Sequence, residues 1–249
     1  RLLLCGGDGT YLESLSALHR AFGTLSLPPV AFVPAGTVNL AARSLHGRRS
    51  LEAVLERALS HAAQIQSHPT LRVSAEGGPE RVAFTFGTGL VARFFQRYTA
   101  EGARGIPAAA GIVARVFFDA WREGAYARSV LEPLPCKLQV DGIDQRAEAH
   151  SLLIASTLGE LGLHLRVTYR AGEDFSRPHL VATDLPPRRL APQLGRVLRG
   201  APLRGATFDG LVRDFVVRFE GQGPYVLDGD LHVAQRVQIC AGPILRVLR

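Results

Sequence analysis

Arg1-Leu2-Leu3-Leu4-Cys5 runs directly into Gly6-Gly7-Asp8-Gly9-Thr10. A short apolar strand ending in three glycines, one acid and one hydroxyl, with a helix-like pattern behind it, leaves few folds open. Glycine lacks the Cβ that would hold a ligand off the backbone, and it permits the dihedrals of a tight turn. A helix beginning there presents unpaired N–H groups and a partial positive charge, which favour an anion. Thr10-Tyr11-Leu12-Glu13 matches a capping box, so Thr10 is expected to open that helix. Adjacent glycines alone are also what a ligand-free strand-to-helix turn would use. Such a turn has no need of an acid held between glycines, and Asp8 therefore argues for a phosphate-bearing ligand.

A second segment repeats the pattern. Val30-Ala31-Phe32-Val33-Pro34 reads as a buried strand leading into Ala35-Gly36-Thr37-Val38-Asn39 and a helical Leu40–Leu45. Two strands, each ending in a glycine-plus-hydroxyl turn, place both turns at the carboxyl edge of one parallel sheet. That edge is where ligands bind in open α/β sheets.

The pair of segments resembles a known family. G-G-D-G-T followed by P-x-G-T-x-N-x-x-A-R looks like the catalytic domain of diacylglycerol kinases, sphingosine kinases and bacterial lipid kinases. Asn39 is the only asparagine in the chain, and it falls at the motif position. NAD kinases share the first motif but do not continue into the second, so the resemblance favours a lipid kinase.

Composition narrows the cationic partners. Lys137 is the only lysine, so no Walker-type lysine serves Gly6–Thr10 and any phosphate clamp must be arginine. Arg43, Arg48 and Arg49 follow the second motif and are candidates, with a solvated basic turn as the alternative for the last two. The formal charge of +7 suits anionic lipid or a phosphorylated ligand. Nucleic acid is not expected, because no zinc-finger, helix-turn-helix or RNP-type pattern appears. Cys5, Cys136 and Cys240 are far apart and form no CxxC pair, which suits a reducing cytoplasmic compartment. The eight histidines are scattered, so no structural metal site is expected. No apolar run reaches the roughly 20 residues that span a bilayer. Ile106–Trp121 comes nearest, but Arg115 and Asp119 interrupt it.

Along the 249 residues the periodicity changes once. Residues 1–64 read as an α/β segment with a third helix opened by Ser50, and the resemblance implies a partial nucleotide-binding domain there. Residues 65–249 read as a β-rich, sandwich-like domain whose end returns toward the first. Hairpin signals at Glu76-Gly77-Gly78-Pro79-Glu80 and Asp141-Gly142 support this. Further strands are expected at Leu163–Tyr169, Leu180–Thr183, Leu211–Phe219, Tyr225–Leu227 and Val233–Ile239. Helices are expected near Ala108–Trp121 and Leu190–Leu198.

The resemblance continues more weakly into the second part. Thr85 stands where the family usually has asparagine, and a single hydroxyl replaces an amide. Leu227-Asp228-Gly229-Asp230 looks like the family's D-G-E element, which supplies the catalytic base. Asp230 holds that position with a side chain one methylene shorter, which shortens its reach for proton transfer. The resemblance thus implies an ATP- and Mg²⁺-dependent lipid kinase of phospholipid metabolism. Gly6, Gly7, Gly9 and Thr10 would approach the ATP phosphates, Asp8 would position them through Mg²⁺ or water, and Gly36, Thr37 and Asn39 would line the other side. Asp230 would take the proton of a lipid hydroxyl. Ile106–Trp121, with Phe117, Phe118 and Trp121, would line an acyl pocket or touch a membrane surface, or simply pack as a core helix. A peripheral place at the inner membrane face follows from that reading. Family members also carry a strand and helix before G-G-D-G-T, so an N-terminally truncated chain is expected. Exposed strand edges would then invite a homo-oligomer. Two other readings stay open: a degenerate lipid-binding or regulatory module, and an NAD kinase-type enzyme.

Overall fold

The computed structural model describes all residues except Thr24, Arg48, His61, Ala62, Ala103, Arg104, Trp121 and Glu123, together with the side chain of Ile106. The chain opens with β1 (Leu2–Gly6), α1 (Asp8–Phe22), β2 (Val30–Pro34), α2 (Leu40–His46), α3 (Leu51–Leu59) and β3 (Ile65–His68). β1 and β2 pair in parallel from Leu2↔Val30 to Gly6↔Pro34, so both glycine turns leave the same sheet edge. The four-stranded sheet has the order β1, β2, the C-terminal strand Leu245–Leu248, then β3. The last strand runs parallel to β2 and antiparallel to β3, so both ends of the chain build one sheet. β2 is an interior strand and β1 lies at the edge of the path.

Burial explains why β2 is an uninterrupted apolar run. Val30 to Val33 are all fully buried, as expected for a parallel strand covered on both faces. Tyr11, Leu12 and Leu15 of α1 are also completely buried. Tyr11 donates its hydroxyl to the Val33 carbonyl at 2.7 Å and sets its ring edge-on to Phe32, with centroids 5.0 Å apart. Such an aromatic pair contributes about 0.5–1.5 kcal/mol beyond its area. Phe84, from outside this sheet, packs edge-on against the same Phe32 at 5.6 Å. That contact ties the two parts of the molecule through one apolar cluster.

The second part is an eleven-stranded antiparallel sheet. Its central strand, Asp214–Leu227, pairs with Leu134–Val140 through residues 215–219 and with Thr85–Gly89 through 226–227. Its pairing with the following strand, Asp230–Ala241, shifts register between Arg218 and Gly223. Around it lies the largest core cluster, which includes Phe86, Leu138, Leu153, Phe215 and Tyr225. This is the α/β-plus-β fold class the sequence predicts.

Several elements differ from expectation. α1 begins at Asp8 with Gly7 as its cap and no side-chain capping bond, so Thr10 lies inside the first turn. The segment Leu163–Tyr169 forms turns rather than a strand; Leu163 and His164 both have positive φ. Residues 65–68 belong to the first sheet as β3. The helix Leu90–Ala100 falls where the sequence reading places no element. Its apolar positions Leu90, Val91, Phe94 and Tyr98 nonetheless pack on one cluster. Ser50 does cap α3, accepting the Ala53 amide at 3.3 Å. Helix Gly105–Ala120 buries Ile112, Val116 and Ala120 and leaves Phe118 exposed.

Candidate active site

The two glycine turns meet backbone to backbone. A Cβ on Gly36 would come within 2.4 Å of the Gly7 Cα, and one on Gly7 within 3.2 Å of the Gly36 Cα. Gly36 therefore requires glycine for loop packing before any ligand is considered, and a side chain on Gly7 would have to press the Gly36 backbone back slightly.

Asn39 locks the second turn. Its Oδ1 accepts the Gly36 amide at 2.8 Å, and its Nδ2 donates to the Gly36 carbonyl at 2.6 Å. Its backbone is left-handed, at φ 54°. Asparagine is among the few side chains that tolerate this region and bond locally at the same time. Asn39 is itself buried, so it shapes the loop, while Thr37 and Thr10 are exposed.

Asp8 joins the two motifs. Its Oδ2 accepts the Leu40 amide at 2.9 Å and its Oδ1 the Ala41 amide at 3.0 Å. The acid of the first turn therefore caps the helix of the second, pairing two amides that the helix leaves unsatisfied. Burial pushes the Asp8 carboxyl above the usual carboxylate range and the nearby Asp230 charge adds to this, while the two amides and Arg43 pull it back. Arg43 is thus the arginine placed near the turns. Arg49 lies elsewhere, and Arg48 is outside the described residues.

Asp228 and Asp230 come from the hairpin that joins the two longest strands. Asp228 sits at φ 47° and is buried. Its carboxylate accepts the Phe84 amide at 3.0 Å, the Thr85 amide at 2.8 Å and the Thr85 hydroxyl at 3.0 Å. Burial raises its pKa to about 7 against those hydrogen bonds. The Thr85 hydroxyl completes this clamp, donating to the carboxylate and accepting the Asp228 amide.

Asp230 behaves differently. A Cβ on Gly9 would lie 2.6 Å from its Oδ2, so the carboxylate rests directly over the first turn. Among the described residues it accepts no hydrogen bond. Burial raises its pKa above the ordinary range, with Glu13 acting in the same sense and His232 and Arg81 opposing. His232 lies two residues further along the strand, hence on the same face. Arg81 reaches the site through an ion pair with Glu13. Sequence reasoning missed His232, Arg81 and the clamp role of Asp228; only the i, i+2 spacing of Asp230 and His232 could have signalled any of them.

No group of three or more His, Cys, Asp or Glu side chains is set to hold a metal ion among the described residues. A nucleotide's Mg²⁺ commonly takes one or two carboxylates plus phosphate oxygens and waters. Asp8 retains lone pairs beyond its two amides and fits that role, while Asp230 has both oxygens free of hydrogen bonds among the described residues.

Residues 1–68 match the family model of the diacylglycerol kinase catalytic domain. The resemblance carried by the two glycine motifs therefore holds over the segment that contains both. Among solved structures, a candidate diacylglycerol kinase from Bacillus anthracis str. Sterne superposes with a TM-score of 0.65 at 18% identity, over 97% of this chain and 74% of that one. A diacylglycerol kinase from the same organism gives 0.55 at 14% identity, over 99% and 75%. At these identities the likeness is one of fold, and it extends through both the mixed and the antiparallel sheet. No curated protein sequence matches the chain.

Proposed function

We propose that this chain, whose first 68 residues match the diacylglycerol kinase catalytic domain model, transfers the γ-phosphate of ATP to the hydroxyl of a lipid of the diacylglycerol or sphingoid kind. The observation that carries the reading is the Asp230 carboxylate, brought from the far end of the chain to lie over Gly9 and left without a hydrogen-bond partner among the described residues. A carboxylate so placed can accept the acceptor's proton, a role that contributes on the order of 10²–10⁴ in rate.

Phosphoryl transfer leaves the protein mainly positioning and charge stabilisation. The Gly6–Gly9 and Gly36 backbones, with the α1 N-terminus behind them, would bind and orient the phosphates. Arg43 would offset their charge. Asp8 and Asn39 would hold the two turns in register, which makes their contribution positional. Mg²⁺ held through Asp8 would supply charge neutralisation at the phosphates. The acceptor's chains would lie along helix Gly105–Ala120, where Phe118 is 70% exposed and offers an apolar contact to a membrane surface. No helix among the described residues is long and apolar enough to cross a membrane, so access from the surface fits.

The test is phosphate transfer from γ-labelled ATP with Mg²⁺ onto a mixed lipid extract, with Asp230→Asn run in parallel. A labelled lipid that is lost in the variant supports the reading, and its mobility names the acceptor class. Label on a water-soluble acceptor alone, or no label together with no ATP binding by calorimetry, overturns it.

A further inference from the structure

Three arginines that the glycine turns do not use meet at the opposite end of α2. Arg49 follows α2, Arg57 lies on α3, and Arg249 follows the C-terminal strand. With His46, Gln64 and Gln66 they line a cleft of about 360 Å³ that has no acidic side chain among its described walls. α2 has seven residues, and a helix rises about 1.5 Å per residue. The cleft therefore sits roughly 10 Å along the helix from the Asn39 turn.

The cleft is built rather than incidental. Arg249 is pinned by reciprocal backbone bonds: the Gln64 amide donates to its carbonyl at 3.0 Å, and its own amide donates to the Gln64 carbonyl at 2.8 Å. Its Nε is buried with no hydrogen-bond partner among the described residues. A buried donor on a charged group asks for an acceptor. None of the three guanidiniums forms an ion pair among those described. Arg249 is also held below the usual arginine range by burial and by the like charge of Arg49. His46 cannot supply more charge. Its Nε2 accepts the Phe32 amide at 3.3 Å, and burial, with Arg249 and Arg49, lowers its pKa to about 4.

We propose that this cleft binds a phosphate group, presented either by a soluble phosphate ester or by the headgroup of an anionic lipid. Three planar guanidinium forks match several oxygens of a tetrahedral anion, whereas a single carboxylate would leave most of their donors unpaired. The carbonyls at the α2 C-terminus oppose an anion with about half a charge, which three full charges outweigh. The parallel pairing of Val247 with Val30 sets Arg249 level with the middle of β2, away from the glycine turns at the carboxyl edge.

The experiment is calorimetric titration of the full chain with inorganic phosphate, paired with co-sedimentation on phosphatidylglycerol-containing and pure phosphatidylcholine vesicles. Arg43→Ala separates the cleft from the glycine turns, and Arg49→Ala/Arg57→Ala alters two exposed side chains that folding does not need. Arg249→Lys keeps the charge but removes the buried Nε. The wild type is expected to bind phosphate or the anionic vesicles. The double variant should bind at least about tenfold more weakly, Arg249→Lys should fall between, and Arg43→Ala should leave the cleft's binding unchanged. Binding of free phosphate identifies a soluble ester as the source; binding of vesicles alone identifies a headgroup. No binding of either probe, or a double variant that binds like the wild type, overturns the proposal.

Discussion

Two acid-bearing turns meet in this molecule, one at the first glycine loop and one at the closing hairpin, and they use aspartate differently. Asp8 and Asp228 each accept backbone amides from a distant segment, Asp8 from the start of α2 and Asp228 from Phe84 and Thr85. Asp230, two residues beyond Asp228, accepts none among the described residues and rests over Gly9. Aspartate beside glycine looks the same in sequence in all three places. What separates a structural carboxylate from a chemically available one is the set of N–H donors within reach, and tertiary contact alone determines that set.

The strongest way to break this comparison is Asp230→Asn. If Asp230 is the base, kcat should fall by about 10²–10⁴, while the melting temperature stays that of the wild type. Because a base must be ionised and burial raises this carboxyl, the wild-type rate should climb with pH through a value above the ordinary carboxylate range. A variant with wild-type kcat would remove Asp230 from the chemistry.

Asp228→Ala should invert that pattern, costing stability first. Each buried donor left unpaired costs about 1–3 kcal/mol, and the Phe84 and Thr85 amides both lose their acceptor. Urea unfolding measures this directly. The pH dependence has a definite sign. The folded pKa of about 7 exceeds the ordinary 3.8, so the native state holds the extra proton between those values. The stability it confers is full below the lower value and is lost as pH rises through the upper. Asp228→Asn should flatten that part of the stability profile; an unchanged profile would show that another group carries it.

Gly36→Ala probes the contact that brings the turns together. Its methyl would lie 2.4 Å from the Gly7 Cα, and backbone cannot swing aside as a side chain can. Overpacking of this kind costs about 1–3 kcal/mol, and nucleotide affinity should fall with it. Wild-type stability and affinity together would mean that the loops part without consequence.

Much of this architecture is legible before any coordinates. β1, β2 and the approximate extent of α2 follow from apolar runs closed by glycine, and Ser50 announces α3 by its own capping chemistry. Helix Gly105–Ala120 follows from its period. The remainder depends on contacts that sequence spacing does not encode. The partnership of Asp8 with Leu40 and Ala41 crosses between motifs, so local pattern assigns its carboxylate to a ligand instead of a cap. Gly7 and Gly36 look like phosphate-approach glycines, yet each first makes room for the other. The capping-box reading of Thr10 fails because α1 starts with Gly7 extended and Asp8 already helical, which places the threonine one turn too late. His232 and Arg81 enter only when the strands pair, and Arg249 reaches Arg49 only because the last strand closes the first sheet.

The smallest expected effect separates the two uses of aspartate most finely. Loss of a helix cap costs about 0.5–2 kcal/mol, typically about 1. Asp8→Ala should therefore lower stability by that amount and loosen the second turn. Asp8→Asn keeps one oxygen able to accept an amide, so it should recover part of that stability while removing the charge. If Asp8 acts only by holding α2 in place, the asparagine variant should retain most of the wild-type turnover and its KM for ATP should shift little. If its charge also organises phosphates or their Mg²⁺, stability will recover without activity, and kcat will stay low across the Mg²⁺ range. Measuring melting temperature and kcat on the same two variants distinguishes these outcomes, because a cap moves both together and a phosphate-positioning charge moves only one.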